Sequence, residues 1–156
     1  MILLAKVLLH RKGSRSYIVR GVDDWGSGAF GASRGNRPHL GLDLVVLPGE
    51  PVYAPFDMEV QRISNPYTNS PYTGIAFRST TDTTVFNGRL WYFTPQSDIV
   101  GNNVRKGEVI GTAQDLGLKY PGITNHVHLQ LASSLPDSND AILYKSYYYN
   151  NPINYV

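Results

Sequence analysis

His126-Val127-His128-Leu129-Gln130-Leu131 alternates polar and apolar side chains without a break. In an extended chain successive side chains point to opposite faces, so His126, His128 and Gln130 share one face while Val127, Leu129 and Leu131 enter a core. The pattern predicts a strand over 126–132. Pro38-His39-Leu40-Gly41-Leu42-Asp43 repeats the device upstream. There the alternation puts His39, Gly41 and Asp43 on one side and Leu40, Leu42 and Leu44 on the other. A histidine, a carboxylate and another histidine can then converge across a sheet. Two imidazole nitrogens and one carboxylate oxygen leave a fourth position open, which is the donor set of a catalytic zinc rather than a structural one.

The rest of the chain fits a sheet protein. Segments rich in Val, Ile, Tyr and Thr recur between Gly, Pro and Asn clusters, and few long windows hold a 3.6-residue period. Strands are predicted over 2–9, 16–20, 42–46, 58–63, 74–79, 84–93 and 126–132. Turns are expected at Pro48-Gly49, Asn65-Pro66, Asn69-Ser70-Pro71 and Pro121-Gly122, with a tight hairpin at Asn87-Gly88, a pair that tolerates positive φ. Fifteen glycines, ten prolines and eleven tyrosines among 156 residues, against two methionines, also favour strands joined by turns over a helical bundle. The long loops at 21–38 and 64–73 are placed to line a site. The organisation expected is an N-terminal β extension over 1–20, one domain over 21–143 and a tyrosine-rich tail over 144–156.

Several function classes fall away on composition. A formal charge of +2 is too small to imply a nucleic-acid partner, although residues 1–37 carry seven basic residues against two acidic ones. No apolar run approaches the roughly 18 residues a membrane-spanning helix needs. With no cysteine there is no disulfide framework, thiolate metal site or cysteine nucleophile. Gly26-Ser27-Gly28-Ala29-Phe30-Gly31 matches a dinucleotide fingerprint in letters, but Pro38 follows and no amphipathic helix does, so it reads as a flexible loop. Asp23 and Asp24 beside it read as an exposed acidic pair in a turn, with Trp25 in reach of a ligand. Met1 to His10 reads as a strand rather than a signal peptide, because Lys6 interrupts its apolar block and no small-residue cleavage site follows.

His-x-Gly-x-Asp followed far downstream by His-x-His resembles the lysostaphin-type, or LytM-type, zinc endopeptidases, which cut peptide cross-bridges of bacterial peptidoglycan. Pro51-Val52-Tyr53-Ala54-Pro55 and Val104-Arg105-Lys106-Gly107-Glu108-Val109-Ile110-Gly111 are similar to the family's intervening strands and arrive in the right order. The resemblance implies an antiparallel, mostly β domain of the duplicated hybrid motif kind with a zinc-floored groove. By it, His39, Asp43 and His128 hold Zn2+ and His126 is a catalytic histidine. Thr94, in Tyr92-Phe93-Thr94-Pro95, stands where that family carries a second catalytic histidine. Alternation puts Tyr92 and Thr94 on a common face, so both are expected in the substrate groove.

The same replacement occurs in a narrower branch, the leukocyte cell-derived chemotaxins, considered to keep the zinc site without peptidase activity. Asn36-Arg37-Pro38-His39, Val52-Tyr53-Ala54-Pro55-Phe56, Asn65-Pro66-Tyr67 and Tyr120-Pro121-Gly122-Ile123 resemble that branch in particular, although its members carry disulfides that a cysteine-free chain cannot form. Two functions follow as expectations. One is a zinc-binding, chemotaxin-like module recognising peptide or glycan ligands with weak or no hydrolysis; the other is an active peptidoglycan endopeptidase with His126 as general base. Either implies an extracellular, cell-envelope or phage-associated setting. Self-association through the tyrosine-rich tail is a further expectation, beside packing of a terminal strand on the domain.

Overall fold

The computed structural model describes residues 18–80 and 86–156. The strand expected over 2–9 lies outside the described residues, as do the first positions of those expected over 16–20 and 84–93. In chain order the strands are β1 (Val22–Asp23), β2 (Gly26–Ser27), β3 (Ser33–Arg34), β4 (Arg37–Pro38), β5 (Leu42–Val45), β6 (Pro51–Tyr53), β7 (Met58–Ile63), β8 (Gly74–Ser79), β9 (Asn87–Trp91), β10 (Phe93–Pro95), β11 (Asn103–Val104), β12 (Val109–Ala113), β13 (His126–Ser133), β14 (Ile142–Tyr144) and β15 (Tyr147–Asn150). The helical content of the described residues is two 3-10 turns, Leu116–Leu118 and Pro152–Asn154. Among the described residues no helix is long and apolar enough to cross a membrane.

Every strand pairing is antiparallel. The main sheet runs β11-β7-β8-β9-β13-β15-β14, and β5 also pairs with β13. β13 is its keystone: one edge bonds β9, while the other is shared by β5 along its first half and β15 along its second. A smaller sheet, β10-β12-β6, lies beside it. The apolar side chains of β13 do what their alternation dictates. Leu129 and Leu131 are fully buried and join Leu42, Leu44, Val60, Ile75, Phe77 and Leu90 from the main sheet, with Val52, Phe93 and Ile110 from the smaller one, in a single core. Each such side chain contributes about 1.5–3 kcal/mol by leaving water.

Three expectations change. Asn87 and Gly88 do not form a turn: they are the first residues of β9, paired with Arg78 and Phe77. A Cβ on Gly88 would overlap the Phe77 ring, so this glycine serves close packing and not positive φ. The expected strand 84–93 also breaks at Tyr92, whose φ of 76° ends β9 in one sheet and starts β10 in the other. Finally, residues 147–150 are integrated into the main sheet rather than appended. Asn150 is fully buried there; its side-chain carbonyl accepts the N–H groups of Asp137 and Ser138, and its amide donates to Ser133 Oγ at 2.7 Å.

The turns at Pro48-Gly49 and Pro121-Gly122 occur as expected, while the one expected at Asn69-Ser70-Pro71 falls one residue earlier, at Thr68-Asn69; Gly49, Asn69 and Gly122 are at positive φ. The segment 21–38 is not irregular: β1–β2 and β3–β4 are two short ribbons lying over the histidine face of β13.

Candidate metal centre

Cross-strand register builds the site. Asp43 on β5 lies directly opposite His128 on β13, and His128 lies opposite Trp91 on β9. The indole stacks on the imidazole at 5.4 Å and 15°. His39 precedes β5 and is fixed by its own backbone, its N–H donating to Ala32 and its carbonyl accepting from Gly31. These elements bring one atom of each residue together: His39 Nε2 is 3.1 Å from His128 Nδ1, and Asp43 Oδ1 is 3.3 Å from the former and 3.0 Å from the latter. All three residues are buried. His126, two residues before His128 on the same face, places Nε2 3.4 Å from the other carboxylate oxygen, Asp43 Oδ2.

The remaining ring nitrogens decide the chemistry. His39 Nδ1 lies 2.9 Å from the Ala29 carbonyl, His126 Nδ1 lies 2.8 Å from the Thr124 carbonyl, and His128 Nε2 lies 3.0 Å from Gln130 Oε1. A carbonyl oxygen only accepts, so each of these nitrogens carries the proton. The lone pairs of His39 Nε2 and His128 Nδ1 then face each other and an ionised carboxylate across about 3 Å. That arrangement is repulsive until a cation, or extra protons on the rings, fills the gap. A divalent metal fits this donor set, and the oxygen-bound second nitrogens are the outer-shell contacts that orient metal-ligating histidines.

Charge supports the same reading. Burial alone would raise the Asp43 carboxyl, but once the rings carry those extra protons, hydrogen bonds from His128 and His39 and the charges of His128 and His126 hold it well below the usual carboxylate range. Burial lowers the His126 pKa against the pull of Asp43, so this ring is neutral at pH 7. Behind the site Arg20, itself buried, donates to Asp43 Oδ2 at 3.0 Å and to both oxygens of Asp23. Asp23 in turn accepts the backbone N–H groups of Trp25 and Thr124, and is a buttress rather than an exposed turn residue. Nothing in the sequence marked Arg20.

The centre floors a cleft of about 470 Å³. Arg34 and Arg37 line it from one ribbon, and Trp25, Tyr67, Tyr92 and Tyr120 form an aromatic wall. Tyr67 Oη is hydrogen-bonded to Tyr92 Oη at 2.8 Å and to Tyr120 Oη at 2.7 Å. Burial pushes the Tyr92 hydroxyl up to about 12, so it stays a proton donor. Thr94 does not line the cleft. The positive φ at Tyr92 resets the alternation, sending Phe93 into the core and leaving Thr94 exposed opposite Thr112. The glycine-rich stretch also has a structural reason: a Cβ on Gly28 would come within 2.9 Å of the Asp43 side chain.

Gly41 offers a test of this packing. A Cβ there would lie 2.6 Å from His128 Nε2 and 2.5 Å from the Leu129 carbonyl. Gly41→Ala is expected to push the His128 ring off Gln130 and weaken metal binding by about 10–100-fold. Competition against a chromophoric chelator measures this; unchanged affinity would mean the ring does not depend on the glycine.

No protein-family model matches the chain. Leukocyte cell-derived chemotaxin-2 of Mus musculus is 32% identical over 126 residues, 81% of this chain and 78% of that protein. The Bos taurus protein of the same name is 30% identical over 118 residues, 76% of each. Myeloid protein 1 of Gallus gallus is 31% identical over 136 residues, which span 81% of this chain but 39% of that longer protein. Among solved structures, LytU superposes with a TM-score of 0.52 at 22% identity over 78% of this chain and 77% of its own.

Proposed function

Because the chain belongs to the leukocyte cell-derived chemotaxin family and has the lysostaphin-type fold, we propose that it is a zinc-binding recognition module. In this reading His39, Asp43 and His128 hold the metal, and the cleft takes peptide or glycan ligands of peptidoglycan type with weak or no hydrolysis. The observation that carries it is the cleft's composition. Three imidazoles converge on Asp43 from one side, while the facing wall offers tyrosine hydroxyls and no imidazole among the described residues. The setting we propose is extracellular or in a cell envelope.

Zinc, when bound, supplies Lewis acidity toward a carbonyl oxygen and toward water. The chain's own residues supply the rest. His126 keeps Nδ1–H on the Thr124 carbonyl, leaving Nε2 with a lone pair turned inward to accept a proton. Asp43 orients the rings, and Arg20 holds Asp43. Trp91 closes one face of His128 to water. An imidazolium opposite His126, which could steady developing negative charge, has no counterpart among the described residues.

A second reading, an active endopeptidase, is favoured by the tyrosine trio. Three hydroxyls share two hydrogen bonds, so one O–H proton remains to donate outward. Such a donor is worth about 10²–10³ in rate. The test incubates zinc-loaded protein with purified peptidoglycan and counts newly exposed amino groups against a His126→Ala blank. The recognition reading expects retention on the polymer with no release above that blank. Release that falls by about 10²-fold in Tyr92→Phe would establish the second reading instead.

A further inference from the structure

We propose that Arg34 and Arg37 form an anion subsite on the rim of the cleft that receives a carboxylate of the ligand, an inference that rests on the cleft being a ligand groove. β3 and β4 place these two residues directly opposite each other, and Gly35, at φ 69°, makes the tight turn between them. Like charges facing each other across an antiparallel pair repel. An anion between them relieves that repulsion.

Among the described residues neither cation has a carboxylate of its own. Arg34 donates to the carbonyls of Ser27 and Ser33 at 2.6 and 3.1 Å, and its nearest carboxylate oxygen, Asp43 Oδ2 at 3.9 Å, is engaged by Arg20 at 3.0 Å. Burial lowers the Arg34 pKa, opposed by Asp43 and reinforced by the charges of Arg20 and Arg37. Among the described residues nothing accepts a hydrogen bond from Arg37. The cleft lining holds three arginines and a single acidic residue, Asp43, so its uncompensated charge is positive before any metal enters. A guanidinium is a planar fork that matches the two oxygens of a carboxylate. The carboxylate can be an acidic side chain or a peptide's C-terminus, and the test separates these sources.

The zinc-loaded full chain is titrated calorimetrically with three synthetic pentapeptides: a neutral C-terminal amide, the same peptide with one glutamate, and the neutral sequence with a free C-terminus. At least one acid-bearing peptide is expected to bind about tenfold or more tighter than the neutral amide. The advantage should grow at low salt. It should shrink in Arg37→Gln, an exposed change that spares the core, and vanish in the Arg34→Gln/Arg37→Gln double variant with zinc content unchanged. Equal affinities for all three peptides would overturn the subsite and leave the groove reading standing. No binding of any peptide would remove both. A full preference retained by the folded, zinc-loaded variants would assign the carboxylate to the metal and overturn the subsite.

Discussion

His39→Ala is expected to emerge without stoichiometric zinc and to melt at the same temperature whether or not zinc is added. The intact chain, by contrast, is expected to gain about 2.7 kcal/mol when free zinc exceeds its Kd a hundredfold. For a domain of 156 residues that is a rise of roughly 5–10 °C. His39 faces Asp43 and His128 rather than the apolar core, so the variant should keep its fold. Its zinc affinity should fall by more than the 10–100-fold typical of losing an outer-shell partner. Metal analysis after gel filtration reads the result directly. A His39→Ala chain with full zinc occupancy would remove His39 from the ligand set.

The second large effect belongs to a residue outside that set. Arg20→Met deletes the cation that engages Asp43, Asp23 and the Gly26 carbonyl at once. Removing one partner from a buried ionic cluster leaves the other charges uncompensated, typically at about 3–5 kcal/mol. Denaturant unfolding of the metal-free protein is the measurement, and a loss below about 1 kcal/mol would show the cluster to be dispensable. Zinc should restore part of the loss, since it supplies positive charge to the same carboxylate. The pH dependence has a definite sign. Asp23 and Asp43 lie below their ordinary values in the folded chain, Asp23 chiefly through its hydrogen bonds from Arg20. Their contribution is complete above the unfolded carboxylate range near pH 4 and is lost as the pH falls toward the folded values. The deficit of Arg20→Met should therefore be widest at neutral pH and narrow in acid.

Much of this was legible in short alternating motifs. The period of two in 126–131 and 39–44 fixes which side chains share a face, and antiparallel pairing of two such segments brings His39, Asp43 and His128 together in the one register that buries the leucines. The errors came from residues whose type has more than one use. Asn87-Gly88 has turn chemistry, yet Gly88 is there to admit the Phe77 ring. Tyr92 carries no signal for a left-handed backbone, and a single residue at φ 76° was enough to turn Thr94 out of the cleft. Arg20 looked like any charge near a strand end, because its partners lie 3 and 23 positions away and only the folded ribbon unites them. The C-terminal tyrosines alternate too weakly to announce β15. Asn150, which locks that strand, is a polar residue whose burial only its three hydrogen bonds explain.

The two oxygens of Asp43 are divided between different owners. Oδ1 faces His39 and His128, while Oδ2 is held by Arg20 at 3.0 Å with His126 beside it. The carboxylate thus has one oxygen to give and cannot chelate in a bidentate manner. Calcium asks for about six to eight oxygen donors and magnesium for a near-octahedral oxygen shell. Both would find one carboxylate oxygen and two nitrogens. In the proposed metal site, discrimination against the abundant alkaline-earth ions would therefore rest on an arginine that does not touch the metal, in favour of borderline ions that accept imidazole nitrogen.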